Sequence, residues 1–173
     1  HFLPGKPLEE NGHTSAGVLT SVSFESGQFA TVTGLDLEWA DVYLRQTQFG
    51  ETEGSDFLRE TRPEGKHYDY RVESTGAALF VQTDYRVSER LTLSAGLRGE
   101  SVSYDYENRM LDGNTRDNGT TCGFGGCLYT RPADRSDRFN NFAPKLGGLF
   151  RVGDSTVMYV NAARGFRAPQ MTE

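Results

Sequence analysis

The sequence predicts an all-β chain: an antiparallel up-and-down segment of a transmembrane β-barrel, about six strands in three hairpins, belonging to a larger barrel. Three observations predict it. Apolar and polar residues alternate with a period of two along six separate stretches. The connections between them run short, long, short, long, short, the asymmetry of barrels with tight turns on one side of the membrane and long loops on the other. No run of about 18 apolar residues occurs, which excludes a membrane-spanning helix but not a barrel, whose strands hide apolar residues in alternation. The 20 glycines, 8 tyrosines and 11 phenylalanines fit a barrel but fit a soluble β-sandwich equally, so the connection pattern carries the assignment.

The first strand is expected over 15–25, with Val18, Thr20, Val22 and Phe24 on one parity and a tight turn at Glu25-Ser26-Gly27-Gln28. The second, 29–46, sets Thr31, Thr33, Leu35, Leu37, Trp39, Asp41 and Tyr43 against Gly34, Asp36, Glu38 and Ala40. It therefore has one apolar face and one acidic, small-residue face. Phe29 and Trp39 share the apolar face; at ~3.3 Å per residue and a tilt of ~40° they stand about 25 Å apart along the barrel axis, the separation of two aromatic girdles.

Residues 49–66 lack periodicity and read as a long polar loop. A third strand over 67–87 places Ala77, Leu79, Val81, Thr83 and Tyr85 opposite Gly76, Ala78, Phe80, Gln82 and Asp84. After a short turn, the fourth, 91–107, sets Leu91, Leu93, Ala95 and Leu97 against Ser94, Gly96, Arg98 and Glu100. Residues 108–138 form the longest loop, and a connection of that length is functional or disordered. The fifth strand spans 139–152. Val152-Gly153-Asp154-Ser155 turns the chain into the sixth, where pairing is expected to stop near Ala168 because Pro169 has no N–H to donate.

Cys122 and Cys127 enclose Gly123-Phe124-Gly125-Gly126. A metal site needs further ligands, and His1, His13 and His67 lie far away in sequence; the spacing is not the redox Cys-x-x-Cys either. A short-loop disulfide in an oxidising compartment is the better reading. The segment 112–119 invites a calcium reading but fails the EF-hand spacing, with arginine where an oxygen ligand belongs. No metal site, cofactor site or catalytic residue is assigned, and the histidines are read as solvated. The net charge of −6 leaves no basic stripe for nucleic acid. Asp36, Glu38, Glu100 and Arg98 are candidates for acid–base chemistry in a glycosidase, or for lumen-facing charges in a barrel; the structural reading is preferred. Arg164 and Arg167 are read as ion-pair members near the rim.

Specific stretches resemble TonB-dependent outer-membrane receptors. Tyr159-x-Asn161-x-x-Arg164-Gly165-Phe166-Arg167-Ala168-Pro169, followed by Glu173, is similar to a signature strand of that family. Phe142-Ala143-Pro144-Lys145-Leu146-Gly147-Gly148-Leu149-Phe150 is similar to the strand preceding it. The segments Thr33-Gly34-Leu35-Asp36-Leu37-Glu38, Tyr43-Leu44-Arg45-Gln46-Thr47-Gln48 and Leu91-Thr92-Leu93-Ser94-Ala95-Gly96-Leu97-Arg98 resemble its mid-barrel strands. Arg131-Pro132-Ala133-Asp134-Arg135-Ser136 is similar to some members, and the likeness covers about 17–173.

The resemblance implies a location in the bacterial outer membrane, in contact with lipid. It also implies import of a scarce small-molecule ligand, a ferric siderophore or other metal chelate, with energy from the TonB complex acting on a plug. The chain opens at His1 without a signal peptide and stops just past the signature, so 1–173 is read as one partial barrel domain. Plug, TonB box and closing strand are expected outside it, and alone it should not transport. Two other readings are a passive porin-like barrel and a soluble secreted carbohydrate-binding β-protein.

Overall fold

The computed structural model describes residues 6–166. Alternation closes into one antiparallel sheet of six strands: β1 Leu8–Ser26, β2 Phe29–Gln48, β3 Gly65–Arg86, β4 Leu91–Asn108, β5 Arg135–Arg151 and β6 Val157–Ala163. Their order is β1-β2-β3-β4-β5-β6, so every strand pairs with its sequence neighbours. The last pair is in register at Lys145↔Ala163, Gly148↔Val160 and Arg151↔Val157.

Several boundaries differ from expectation. β1 begins at Leu8 rather than residue 15, and β5 at Arg135 rather than 139. Neither extension has an apolar face to announce it; a ladder is made by backbone groups and continues wherever the neighbouring strand offers them. The 49–66 connection is not irregular throughout, because α1, Asp56–Thr61, lies within it. Ser55 caps this helix, its Oγ accepting from the Leu58 N–H at 3.4 Å.

β6 ends at Ala163, short of Ala168. One further bond, Arg164 N–H to Pro144 O at 3.1 Å, follows it. Pro144 cannot return that bond, which removes the reciprocal half of the pair where the strand stops. The expectations for Arg167, Ala168, Pro169 and Glu173 concern positions outside the described residues.

The chain divides into two compact units. One comprises Ala16–Trp39, Thr75–Ser103 and the chain from Arg138 onward. Its two sheet faces differ sharply. On one, Thr31 and Thr83 share a hydrogen bond of 3.0 Å and Phe29 stacks on Tyr85 at 4.6 Å. This face carries Val18, Val22, Phe24, Leu37, Leu79, Val81, Leu93, Leu146 and Val160, all exposed, with Leu79 67% and Val160 72% open. The opposite face is polar: Ser94 Oγ donates to Asp84 at 2.6 Å, and Arg98 bonds Asp36 and Glu100. An added Cβ on Gly34 would lie 2.5 Å from Phe80 Cζ and closer still to the Thr20 carbonyl, so only glycine lets these strands approach here.

The other unit comprises the described residues up to Ser15, with Ala40–Ser74 and Tyr104–Asp137. It contains both long connections. Its buried apolar cluster is small: Cys122, Cys127 and Tyr129, with Tyr68 packed against them.

Candidate functional site

The two long connections are ordered and docked to each other. Gly123 N–H donates to Glu60 O at 3.2 Å and Leu128 N–H to Thr61 O at 2.9 Å, so the cysteine loop is stitched to α1 through backbone. Lys66 N–H donates to Asp117 Oδ2 at 3.1 Å, and Phe57 meets Phe124 edge-on at 5.6 Å between ring centroids. Cys122 and Cys127 are joined by a disulfide, with Cα atoms 5.0 Å apart. The tip between them is tightly bent: Phe124 has φ 51° and Gly126 φ 142°. The left-handed conformation costs a bulky residue roughly 1–2 kcal/mol, and the bridge and the stitched backbone hold it in place.

Asn114 fixes the loop from inside. Its Nδ2 donates to Cys127 O at 2.7 Å and to Tyr129 O at 2.6 Å, while its Oδ1 accepts from Cys127 N–H at 2.7 Å. Arg131, 1% exposed, does more. Its guanidinium donates to Leu111 O at 2.6 Å, His67 O at 3.2 Å, Thr115 O at 2.8 Å, Thr115 Oγ1 at 2.9 Å and Arg116 O at 3.2 Å. These bonds tie the start of β3 to the far connection. Arg131 also sits over the Tyr129 ring at 5.5 Å.

His67 is not solvated as expected but 1% exposed. The element that covers it, around Tyr129 and Arg131, is more than sixty residues away, so nothing local marks the burial. Its ring stacks on Tyr129 at 4.4 Å, and its Nε2 donates to Pro63 O at 2.8 Å. Burial pulls its pKa below the ordinary histidine value, against a partial pull from the Pro63 bond; Arg62 and Arg131 push the same way as burial. In the neighbouring tyrosine group, burial pushes the Tyr106 phenol up to about 12.

The charged candidates on the polar face come together around Arg98. Its Nη2 lies 2.9 Å from Asp36 Oδ2 and its Nε 3.0 Å from Glu100 Oε2. Both carboxylates are thereby engaged as acceptors, and Glu38 stands alongside them near Gly76. This is an ion-pair network that solvates a polar sheet face. Arg164 follows β6, while Arg167 lies outside the described residues, as does His1. In 112–119 the oxygens are already engaged by the chain: Asp112 accepts from Asn108 at the end of β4, Asp117 from Lys66 at the start of β3 and Asn118 from Thr120. Among the described residues no group of three or more His, Cys, Asp or Glu is arranged to hold a metal ion. The sequence does not mark His67 as buried or Asn114 as the brace of the cysteine loop, and it marks Arg131 only through the family-like segment that residue opens.

A family model described as TonB dependent receptor-like, β-barrel, matches residues 8–173. No curated protein matches the chain. Two crystal structures of the ferric-catecholate import receptor Fiu from E. coli K12 are similar in fold. The open form is 14% identical with a TM-score of 0.54, over 91% of this chain and 26% of that one. The closed form is 14% identical with a TM-score of 0.53, over 91% of this chain and 24% of the other. The chain thus spans about a quarter of the length of those receptors. Matched from its first strand to its last residue, the chain belongs to the TonB-dependent receptor β-barrel family, whose members are outer-membrane receptors for transport and not enzymes.

Proposed function

We propose that this chain forms part of the wall and two of the external loops of an outer-membrane importer, with a ferric siderophore as its ligand and the TonB complex as its energy source. One partial barrel domain over 1–173 is the organisation that goes with this reading. The apolar face of the wall unit faces lipid; in water the same exposed Val, Leu and Phe residues would need a second layer. The charged face around Arg98 lines the lumen.

The observation that carries the reading is the docked loop pair. Two connections fastened to each other by backbone bonds, the second braced within itself by Arg131 and a disulfide, make a firm surface for capture, where a passive pore needs none. The ferric-catecholate receptors of similar fold supply the choice of ligand class. Uptake of radiolabelled iron tests it, supplied as a ferric tris-catecholate to cells that carry the full-length receptor with and without TonB. Uptake only with TonB is expected; equal uptake in both strains favours a passive porin-like barrel. Cys122→Ser in the full receptor is expected to weaken binding and expose the loop to protease. Unchanged affinity and unchanged cleavage would remove the bridge from the capture surface.

A further inference from the structure

The geometry points to a pH-operated latch in the loop-bearing unit: neutral His67, packed against Tyr129 beside the buried Arg131, holds the two long connections together, and its protonation lets them part. The inference is independent of which ligand the receptor takes.

His67 Nε2 faces Pro63 O, which accepts only, so Nε2 carries the hydrogen and Nδ1 a lone pair. That Nδ1 is buried without a hydrogen-bond partner. A proton added there would be both an unpaired donor and a charge in a site cut off from water. It would also be the second cation in that site. Arg131 is 1% exposed, and its bonds go to the uncharged oxygens of Leu111, His67, Thr115 and Arg116.

The groups facing His67 divide: Arg62 and Arg131 oppose its charging, as burial does, while the Pro63 carbonyl and Asp117 favour it. From the segment after α1 come Arg62 and the Pro63 carbonyl; from the β4–β5 connection come Tyr129, Arg131 and Asp117. Asp117 favours the charged form, but its Oδ2 already accepts the Lys66 N–H. On the strand of His67 itself, Lys66 and Asp69 neutralise each other at 2.9 Å.

Because the folded value is depressed, the docked state is favoured in full above the ordinary histidine pKa of about 6.5 and weakens as pH falls below it. From pH 7.5 to 5.0 one proton changes the open fraction by at most about 30-fold.

The disulfide reports opening, because Tyr129 packs on both His67 and the buried pair Cys122 and Cys127. In the full-length receptor in detergent, reduction by a phosphine is followed by maleimide trapping. The rate for wild type relative to His67→Gln should rise several-fold from pH 7.5 to 5.0; an equal ratio at both values overturns the latch. Hydrogen exchange of wild-type residues 111–131, corrected for its intrinsic pH dependence, decides the question without a variant. Protection lost at pH 5.0 supports the latch, and protection kept overturns it.

Discussion

Replacing Arg131 with methionine is expected to release the β4–β5 connection while leaving the barrel wall folded. The side chain is 1% exposed and donates to carbonyls of Leu111, His67, Thr115 and Arg116. Methionine fills much of the volume but donates nothing, so each carbonyl loses a charge-assisted bond. A buried acceptor left unsatisfied costs about 1–3 kcal/mol. The contributions do not add, because removing the arginine also removes the cost of burying its charge. A net loss of about 3 kcal/mol in local stability is the working figure, which corresponds to roughly 100-fold faster opening-limited exchange.

The assay is hydrogen exchange of the full-length receptor resolved to residues 111–131, with β2 and β3 amides of the wall unit as internal reference. Arg131→Lys keeps the charge but offers one nitrogen where the fork reaches separate carbonyls, and should fall between wild type and methionine. Exchange in Arg131→Met within twofold of wild type would refute the assignment of Arg131 as the tie between the β4–β5 connection and the start of β3.

Other positions make separate tests. Asn114→Asp should destabilise the cysteine loop more than Asn114→Ala, measured as protease nicking, because it turns an oxygen toward the carbonyls of Cys127 and Tyr129. Gly34→Ala should lower barrel stability by about 1–3 kcal/mol in urea unfolding, since its Cβ meets Phe80 and the backbone of Thr20. Leu79→Arg on the exposed apolar face should cost up to about 2–4 kcal/mol in a bilayer, whereas Gln82→Arg on the polar face should be tolerated. Equal folding yields for Leu79→Arg and Gln82→Arg would count against a lipid-facing wall.

Much of the wall was legible because a strand's faces follow from parity alone. Leu35 and Leu37 against Asp36 and Glu38 identify the two faces of β2 without knowledge of any neighbour. Parity also puts Asp36 and Arg98 on one face, but their meeting at 2.9 Å needs the register of three strands. The polar start of β1 and the opening of β5 at Arg135 were hidden for the opposite reason: backbone pairing continues there without alternation to mark it. At six residues, α1 is too short for a helical period to emerge.

The class of the chain is written in its residues: alternating strands, alternating connection lengths and a family-like end can each be read in place. The loop-bearing unit, by contrast, depends on contacts between parts of the chain that lie far apart in sequence. His67 looks like a solvated histidine until Tyr129 and Arg131 close over it, and Arg131 looks like a surface charge until four carbonyls surround it. Burial of a polar group depends on partners far along the chain. Strand parity repeats every two residues and can be read in place, but the approach of residue 67 to residue 131 has no period to read.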